Sequence, residues 1–344
     1  MLQKRSLDRR LAAGDRGRMP NQSITGTAGA SGGAVALVLG SCASLQVGAA
    51  LAAQLFPSIG STPATLLRLA LAALALLAIA RPRVRGWDRY QWRNVIMLGI
   101  SLAAMNASFY AALSRIPLGT AVTIEFLGPL TLAAVLSRRV RDLGWVLLAL
   151  AGVLLLGLGG EGPGAGGLDP VGALLALVAG VFWAAYILTG ARVGAAVPGL
   201  GGLAVATAVG ALVLLPVGAA GAAPAVVRPN LLLLALGIGL LASVIPYSLE
   251  LSALRRLPPR VFGVLLSLEP AVAALAGWLL LGQDLGWLGV VAVAVVILAS
   301  AGSTLSARRA ADGPRAERAD SPAREAAPAR AEGPEPRPAL AGCD

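Results

Sequence analysis

The sequence contains no histidine and a single lysine, Lys4. Without histidine it has no Ser-His-Asp triad, no HExxH zinc-protease motif and no histidine ligand for haem. Without a lysine beyond the polar N-terminal segment it has no GxxxxGK[ST] loop, so the chain carries no Walker motif for ATP hydrolysis. The two cysteines, Cys42 and Cys343, form neither a disulfide framework nor a metal-ligand set. We therefore expect no metal or other cofactor, and nothing implies an ATPase subunit as a partner.

Charged and aromatic residues are also scarce. They make up 13% and 4% of the chain, whereas 57% is hydrophobic and the mean hydropathy is +0.77. A soluble domain is roughly a quarter charged. The apolar excess consists of Ala, Leu, Val and Gly, which suit close helix packing in lipid. This composition argues against a soluble single-domain enzyme and indicates an all-α membrane protein.

Residues 34–306 divide into ten apolar stretches, and a spanning helix needs about 20 such residues. Polar tails, residues 1–33 and 307–344, flank them. Breaks between spans are predicted at proline, arginine and glycine-rich points, including Pro57 and Pro224. The predicted spans are 34–56, 64–80, 94–113, 118–136, 143–160, 170–190, 199–220, 231–253, 259–281 and 286–306.

Basic residues are distributed unevenly over this map. The two tails and the loops after the second, fourth, sixth and eighth spans carry 25 of the 28 lysines and arginines. The loops on the other side carry two, Arg115 and Arg228, and Arg68 lies inside a span. By the positive-inside rule we expect both termini in the cytoplasm. The net charge of +11 is then a topology signal and does not indicate a nucleic-acid partner.

Two short segments recur at nearly the same interval. The tetrapeptide Asp-Leu-Gly-Trp at 142–145 reappears at 284–287, and residues 112–117 resemble residues 253–258. Each copy holds the same place among five helices, and because five is odd, the second copy would insert with the opposite orientation. Inverted repeats are typical of alternating-access transporters, whose substrate site lies near the midplane. The predicted repeats are residues 34–160 and residues 170–306.

Four predicted spans contain an ionisable side chain, although an ionised group at the bilayer centre costs about 2.5–3.5 kcal/mol on insertion scales. These residues are Arg68, Glu125, Glu250 and Glu269. They are the candidates for a substrate and proton pathway. Glu250 lies near the end of its span and can also reach the interface. Arg68 either extends its charge outward or pairs with a carboxylate of a substrate or a glutamate.

Glu125 and Glu269 lie mid-span in related contexts, followed by Pro129 and Pro270 respectively. When the repeats are aligned on these prolines, the glutamates differ by three positions, so they project from similar helix faces. Each proline frees a backbone carbonyl about four residues earlier and predicts a broken helix. We expect a polar cavity that binds an ammonium group or a proton, with the carboxylates alternating between protonated and ionised forms. The alternative is a glutamate that pairs with Arg68 or bonds across helices without a transport role.

Other polar and aromatic side chains in the spans are weaker candidates for the cavity lining. Such residues often act as hydrogen-bonding links between helices, and this interpretation stays open for each. The candidates are Gln46, Asn106, Tyr110, Trp183, Tyr186 and Tyr247.

Taken together, these motifs resemble EamA-type members of the drug/metabolite transporter superfamily, and within it the inner-membrane threonine/homoserine exporters. The resemblance covers roughly residues 34–306. It is carried by residues 116–122 and 125–130, by 246–250, 256–258 and 267–271, and by 183–188 and 66–71.

The resemblance implies ten helices in two inverted EamA repeats, and outward secondary transport across a bacterial inner membrane. The expected cargo is threonine, homoserine or a related amino acid, with proton antiport as the driving reaction. The partners are then the lipid bilayer, a small-molecule substrate and protons. The alternatives are a permease for a nucleoside, an aromatic amino acid or a drug-like cation, or, from other classes, an intramembrane enzyme that relies on carboxylates or a pure interaction protein.

Overall fold

The computed structural model describes residues 27–137, 140–158, 168–254, 256–257 and 259–319. These ranges contain thirteen α-helices, a 3-10 turn over Val84–Gly86 and a π-helical segment over Leu240–Val244. The α-helices are α1 (Thr27–Ile59), α2 (Ser61–Ala80), α3 (Arg89–Leu113), α4 (Leu118–Glu125), α5 (Leu127–Ser137), α6 (Val140–Leu158), α7 (Pro170–Ala196), α8 (Gly201–Val227), α9 (Pro229–Gly239), α10 (Ile245–Leu254), α11 (Pro259–Leu266), α12 (Glu269–Leu281) and α13 (Gly286–Ala319).

In the described part of the chain, nine helical stretches are long and apolar enough to cross a membrane. Three of them are interrupted spans, formed by α4 with α5, α9 with α10 and α11 with α12. The remaining predicted span corresponds to α6, whose apolar stretch Asp142–Leu156 is shorter. The prediction of an all-α multi-span membrane protein is confirmed.

Several helix ends differ from the predicted span ends. α1 begins at Thr27 and α13 continues to Ala319, past Gly313 and Pro314. The predicted breaks at Pro57 and Pro224 lie a few residues too early, because both prolines are inside helices. Each occupies the last turn, so it removes one hydrogen bond without interrupting a continuing helix. The other parts of the predicted tails, residues 1–26 and 320–344, lie outside the described residues.

Small residues form much of the interior and let the helices approach closely. The buried core contains many alanines, among them Ala50, Ala121 and Ala273, none of which is exposed. At Gly119 of α4 a Cβ atom would lie 2.8 Å from the Cα of Ala274 on α12. Close contact of this kind replaces the hydrophobic driving force that is absent between helices in lipid.

Two of the interrupted spans break four residues before a proline. α4 ends at Glu125, before Pro129, and α11 ends at Leu266, before Pro270. Proline has no N–H and leaves the carbonyl four residues earlier without its helical partner. Such breaks are tolerated at membrane depth where the backbone faces protein or a water-filled cavity.

Candidate functional site

A cavity of about 370 Å³ lies among the three interrupted spans and their neighbours. Its volume falls within the range of small-molecule sites in proteins. Most of its lining is apolar, but polar and charged side chains from eight spans converge on it. Of the predicted site residues, it is lined by Gln46, Arg68, Asn106, Glu125, Pro129, Trp183, Tyr186, Tyr247, Glu250 and Glu269.

Arg68 of α2 supplies the cationic group of the cavity and is held by neutral partners. Its Nη2 donates to the carbonyl oxygen of Ala242 (2.7 Å), its Nη1 to the hydroxyl of Tyr110 (3.1 Å) and its Nε to the hydroxyl of Ser243 (3.3 Å). The Ala242 carbonyl is the one that Pro246, four residues later, leaves without a helical donor. A guanidinium has five N–H groups, so two remain. No carboxylate of a described residue lies within 4 Å of its nitrogens.

Glu269, in the first turn of α12, is paired with Gln46 of α1. The two side chains are 5% and 2% exposed, and Gln46 Nε2 donates to Glu269 Oε1 over 3.0 Å. Gln46 Oε1 is buried and has no hydrogen-bond partner among the described residues. The pair therefore presents a carboxylate and an amide oxygen, both acceptors, in a buried position beside the cavity.

Glu250 of α10 supplies a second carboxylate. The Ser41 hydroxyl donates to Glu250 Oε1 over 2.7 Å, which fixes the carboxylate against α1. Tyr186 of α7 and Tyr247 of α10 line the same cavity.

Glu125, the last residue of α4, supplies the third carboxylate and is 7% exposed. No described residue hydrogen-bonds to this carboxylate, and the charges of Glu269 and Arg68 act on it through space. Its backbone carbonyl lies against Gly180 of α7, where a Cβ atom would come within 2.5 Å of that oxygen. The absence of a side chain at Gly180 thus allows α7 to contact the break and hold Glu125 in place.

Aromatic side chains form part of the apolar lining. Phe126 and Trp183 pack edge to face, with their ring centroids 4.9 Å apart. The cavity therefore combines one cationic group, three carboxylates and an apolar wall. This combination can hold a small molecule that carries charges of both signs.

The structure brings all four predicted ionisable residues to this one cavity. Tyr110 and Pro270 are the predicted site residues that do not line it. Tyr110 is fully buried, with its ring centroid 5.3 Å from Arg68 Cζ, and it packs against two lining residues, Arg68 and Phe109. Pro270 is buried at the start of α12.

Several contributing residues were not identified from the sequence. Ser41 and Ser243 hold Glu250 and Arg68, and Thr304 belongs to the lining. Serine and threonine in helices commonly bond to their own backbone, so their presence in a span does not indicate a site residue. Pro246 is a usable indicator, because a proline inside the eighth span predicts that the Ala242 carbonyl is free to bind another group.

Beyond the end of the lining on α4, the chain packs closely in a contact that we call the sealed end, formed by Leu118 and Gly119 of α4 with Ala274, Gly277 and Gln283. Gln283 Oε1 accepts from the Leu118 N–H over 2.9 Å. None of these five residues lines the cavity. The lining extends in the opposite direction along α5, α11 and α13, as far as Ala133, Gly263 and Thr304.

Membrane-length helices around a ligand-sized polar cavity, with broken helices at its centre, define a membrane transport protein. Comparison with known proteins gives the family. The model of the EamA-like transporter family matches residues 170–305. The threonine/homoserine exporter RhtA of Salmonella typhimurium is 43% identical over 276 residues, 80% of this chain and 92% of that protein. RhtA of Escherichia coli K12 is 42% identical over the same shares. The chain belongs to the EamA-like transporter family.

A solved crystal structure supports the fold. It superposes with a TM-score of 0.54 and 21% sequence identity, over 81% of this chain and 98% of that one. Family membership makes the protein a multi-pass membrane transporter and not an enzyme, as the sequence predicts.

Proposed function

We propose that the protein exports small amino acids, such as threonine and homoserine, across the bacterial inner membrane in exchange for protons. The two relatives named as threonine/homoserine exporters support this cargo, since the match spans 92% of their length. The residues we assign to the pathway are Arg68, Glu125, Glu250 and Glu269.

The observation that carries the proposal is the presence of both charge signs in one cavity. An amino acid carries a carboxylate and an ammonium group. The two remaining N–H groups of Arg68 suit the carboxylate, because guanidinium–carboxylate hydrogen bonds are charge-assisted and oriented. The acceptors of Glu269 and Gln46 suit the ammonium group.

Proton exchange requires that the proton and the substrate compete for one group, because a zwitterionic amino acid adds no net charge to the cavity. One guanidinium balances one of the three carboxylates, and uncompensated charge is costly away from water. In the empty cavity Glu269 therefore carries a proton, and its ionised form is the acceptor for the ammonium group of a bound amino acid. The ammonium group and the proton exclude each other at this carboxylate, so binding of the amino acid displaces the proton to the water on that side, and release of the amino acid lets a proton bind again.

Alternating access is supported by the pairing of the helices. If residues 34–160 and 170–306 are inverted repeats, each contact between the two halves should have a counterpart in which the equivalent helices have exchanged halves. The contact of α3 with α7 is matched by that of α10 with α1, and α2 with α8 and α6 with α13 pair across the repeats. We place both termini in the cytoplasm, as the basic residues indicate.

A second candidate is a permease for a larger or aromatic metabolite. The Phe126–Trp183 ring pair in the lining favours it, because an aromatic wall suits flat apolar groups. Counterflow in proteoliposomes, with each candidate substrate radiolabelled in turn, separates the two candidates. We expect threonine and homoserine to exchange, whereas exchange of only nucleosides, aromatic amino acids or organic cations would overturn the proposed cargo.

The role of Arg68 can be tested with a substrate analogue. Threoninol has the ammonium and hydroxyl groups of threonine but no carboxylate. In the wild-type protein we expect threonine to compete for counterflow better than threoninol, and in Arg68→Gln we expect this preference to fall by about tenfold or more. The ratio of the two competitors is independent of how much folded protein is present. An unchanged ratio would show that Arg68 does not bind the carboxylate.

A further inference from the structure

A second groove lies away from the central cavity, where the start of α3 meets the end of α7. Tyr90, Arg93, Asn94 and Met97 of α3 line it together with Arg192 of α7. The two helices are joined beside it, because Gln91 Nε2 donates to the carbonyl oxygen of Ala196 over 2.7 Å. None of the proposed pathway residues contributes to this groove.

The groove is cationic. Arg93 and Arg192 are both exposed, and no carboxylate of a described residue lies within 4 Å of either guanidinium. The nearest acidic residue in the sequence, Asp88, caps α3 and accepts from the Gln91 N–H over 2.7 Å. Arg93 Cζ lies 5.7 Å from the centroid of the Tyr90 ring, which limits its range of orientations. Two fork-shaped donors on neighbouring helices suit a phosphate group.

The groove also has an apolar side. Met97 lines it one turn beyond Arg93, and Ile96 and Ile100 on the same stretch of α3 are exposed. At the opposite end Tyr90 is 50% exposed, and Trp92 is exposed nearby. Aromatic residues next to an apolar exposed surface mark the level at which headgroups meet acyl chains. A free phosphate or nucleotide would make no use of the apolar side.

We propose that Arg93 and Arg192 form a binding site for the phosphate headgroup of an anionic phospholipid, with an acyl chain lying along Met97. Basic pockets between membrane-spanning helices bind anionic headgroups in this way. The occupied site would bridge α3 and α7 at the end where Gln91 already joins them.

Native mass spectrometry of the full-length protein in detergent tests this site. Phosphatidylglycerol or phosphatidylcholine with identical acyl chains is added, and the fraction of lipid-bound protein is measured. We expect phosphatidylglycerol to bind preferentially, and Arg93→Gln/Arg192→Gln to lower its affinity by about 25-fold, since each basic residue near an anionic surface contributes about fivefold. The variant Arg93→Lys/Arg192→Lys should keep an intermediate affinity, because it keeps the charge and loses the fork.

The matched control is Arg83→Gln/Arg85→Gln, which removes two exposed arginines from the connection between α2 and α3. We expect it to bind phosphatidylglycerol almost as the wild type does. An equal loss in this control would mean that diffuse charge, not the groove, attracts the lipid. Equal binding of phosphatidylcholine, or displacement of phosphatidylglycerol by inorganic phosphate, would also overturn the proposal.

Discussion

Arg68 and Glu125 illustrate how single residues shape the cavity. Arg68 is held by the Tyr110 hydroxyl and by the Ala242 carbonyl, which Pro246 leaves without a helical donor. Neither partner is charged, so the positive charge of Arg68 stays available to a ligand. Glu125 sits at a helix break where its backbone is clamped against Gly180. In both cases the irregular backbone positions the charged group, and the helices around it supply the rigidity.

Gly180 offers a test of this positioning. In Gly180→Ala the new Cβ meets the Glu125 carbonyl, so α7 or the break must move, and we expect a loss of about 1–3 kcal/mol in stability together with reduced threonine counterflow. Thermal unfolding in detergent and counterflow in proteoliposomes measure the two effects. Gly194→Ala on the same helix is the control, because no atom lies within 4 Å of its new Cβ and alanine favours helix. Identical behaviour of the two variants would rule out the clamp.

At the scale of whole helices, two contacts lie towards the same end of the bundle but should behave differently. Gln283 bonds to the Leu118 N–H and joins α4 to the connection after α12, across the sealed end. The ion pair of Arg115 with Asp169 (3.3 Å) joins the end of α3 to the start of α7. α3 and α7 are also joined at their other ends, so this pair can move as one unit, whereas α4 and α12 must separate if the cavity is to open at the sealed end.

The ionisation state of Asp169 favours its ion pair with Arg115 at neutral pH. Desolvation acts to raise the pKa of this carboxyl, but the hydrogen bonds from the Val171 N–H and from Arg115 outweigh it and hold the pKa below its usual value. Asp169 therefore remains ionised at neutral pH. Asp169 also caps α7, because its side chain accepts the hydrogen bond from the Val171 N–H.

Cysteine crosslinking distinguishes the two contacts. In a background lacking Cys42 and Cys343, we expect a short thiol crosslinker across Leu118→Cys/Gln283→Cys to stop threonine counterflow, and a reductant to restore it. The same reagent across Arg115→Cys/Asp169→Cys should leave counterflow largely intact, because α3 and α7 stay together. Continued transport by the crosslinked Leu118→Cys/Gln283→Cys protein would show that the sealed end is not a gate.

The sequence predicts the helices and the charged members of the site because both depend on local signals. A membrane span needs only a run of apolar residues, and an ionisable residue inside it stands out by its cost. The partners of these groups depend on tertiary contacts instead. Ser41 hydrogen-bonds to Glu250, which is 209 residues away in the sequence, and no residue near Ser41 in the sequence indicates that contact. The helix ends at Pro57 and Pro224 were predicted a few residues too early because a proline in the last turn removes one hydrogen bond and still allows that turn to form.

For the molecule as a whole, charge is sorted into two roles. Most of the arginines lie in the predicted loops and tails, where the positive-inside rule predicts that they set orientation, and Arg93 and Arg192 line a groove for which we propose an anionic lipid. Inside the spans, the charged residues lie around one cavity that is lined from both halves of the chain, and they are Arg68, Glu125, Glu250 and Glu269. If the interior charges exchange a proton for an amino acid, transport and proton movement must be linked in every turnover.

The most direct test is proton movement in proteoliposomes that contain a pH-sensitive dye. We expect added threonine to drive a proton flux in the wild-type protein and no flux in Glu125→Gln/Glu269→Gln, while Asp284→Asn, which removes an exposed carboxylate outside the cavity, behaves as the wild type. Threonine transport without proton movement in the wild type, or an undiminished proton flux in Glu125→Gln/Glu269→Gln, would contradict proton-coupled export through this cavity.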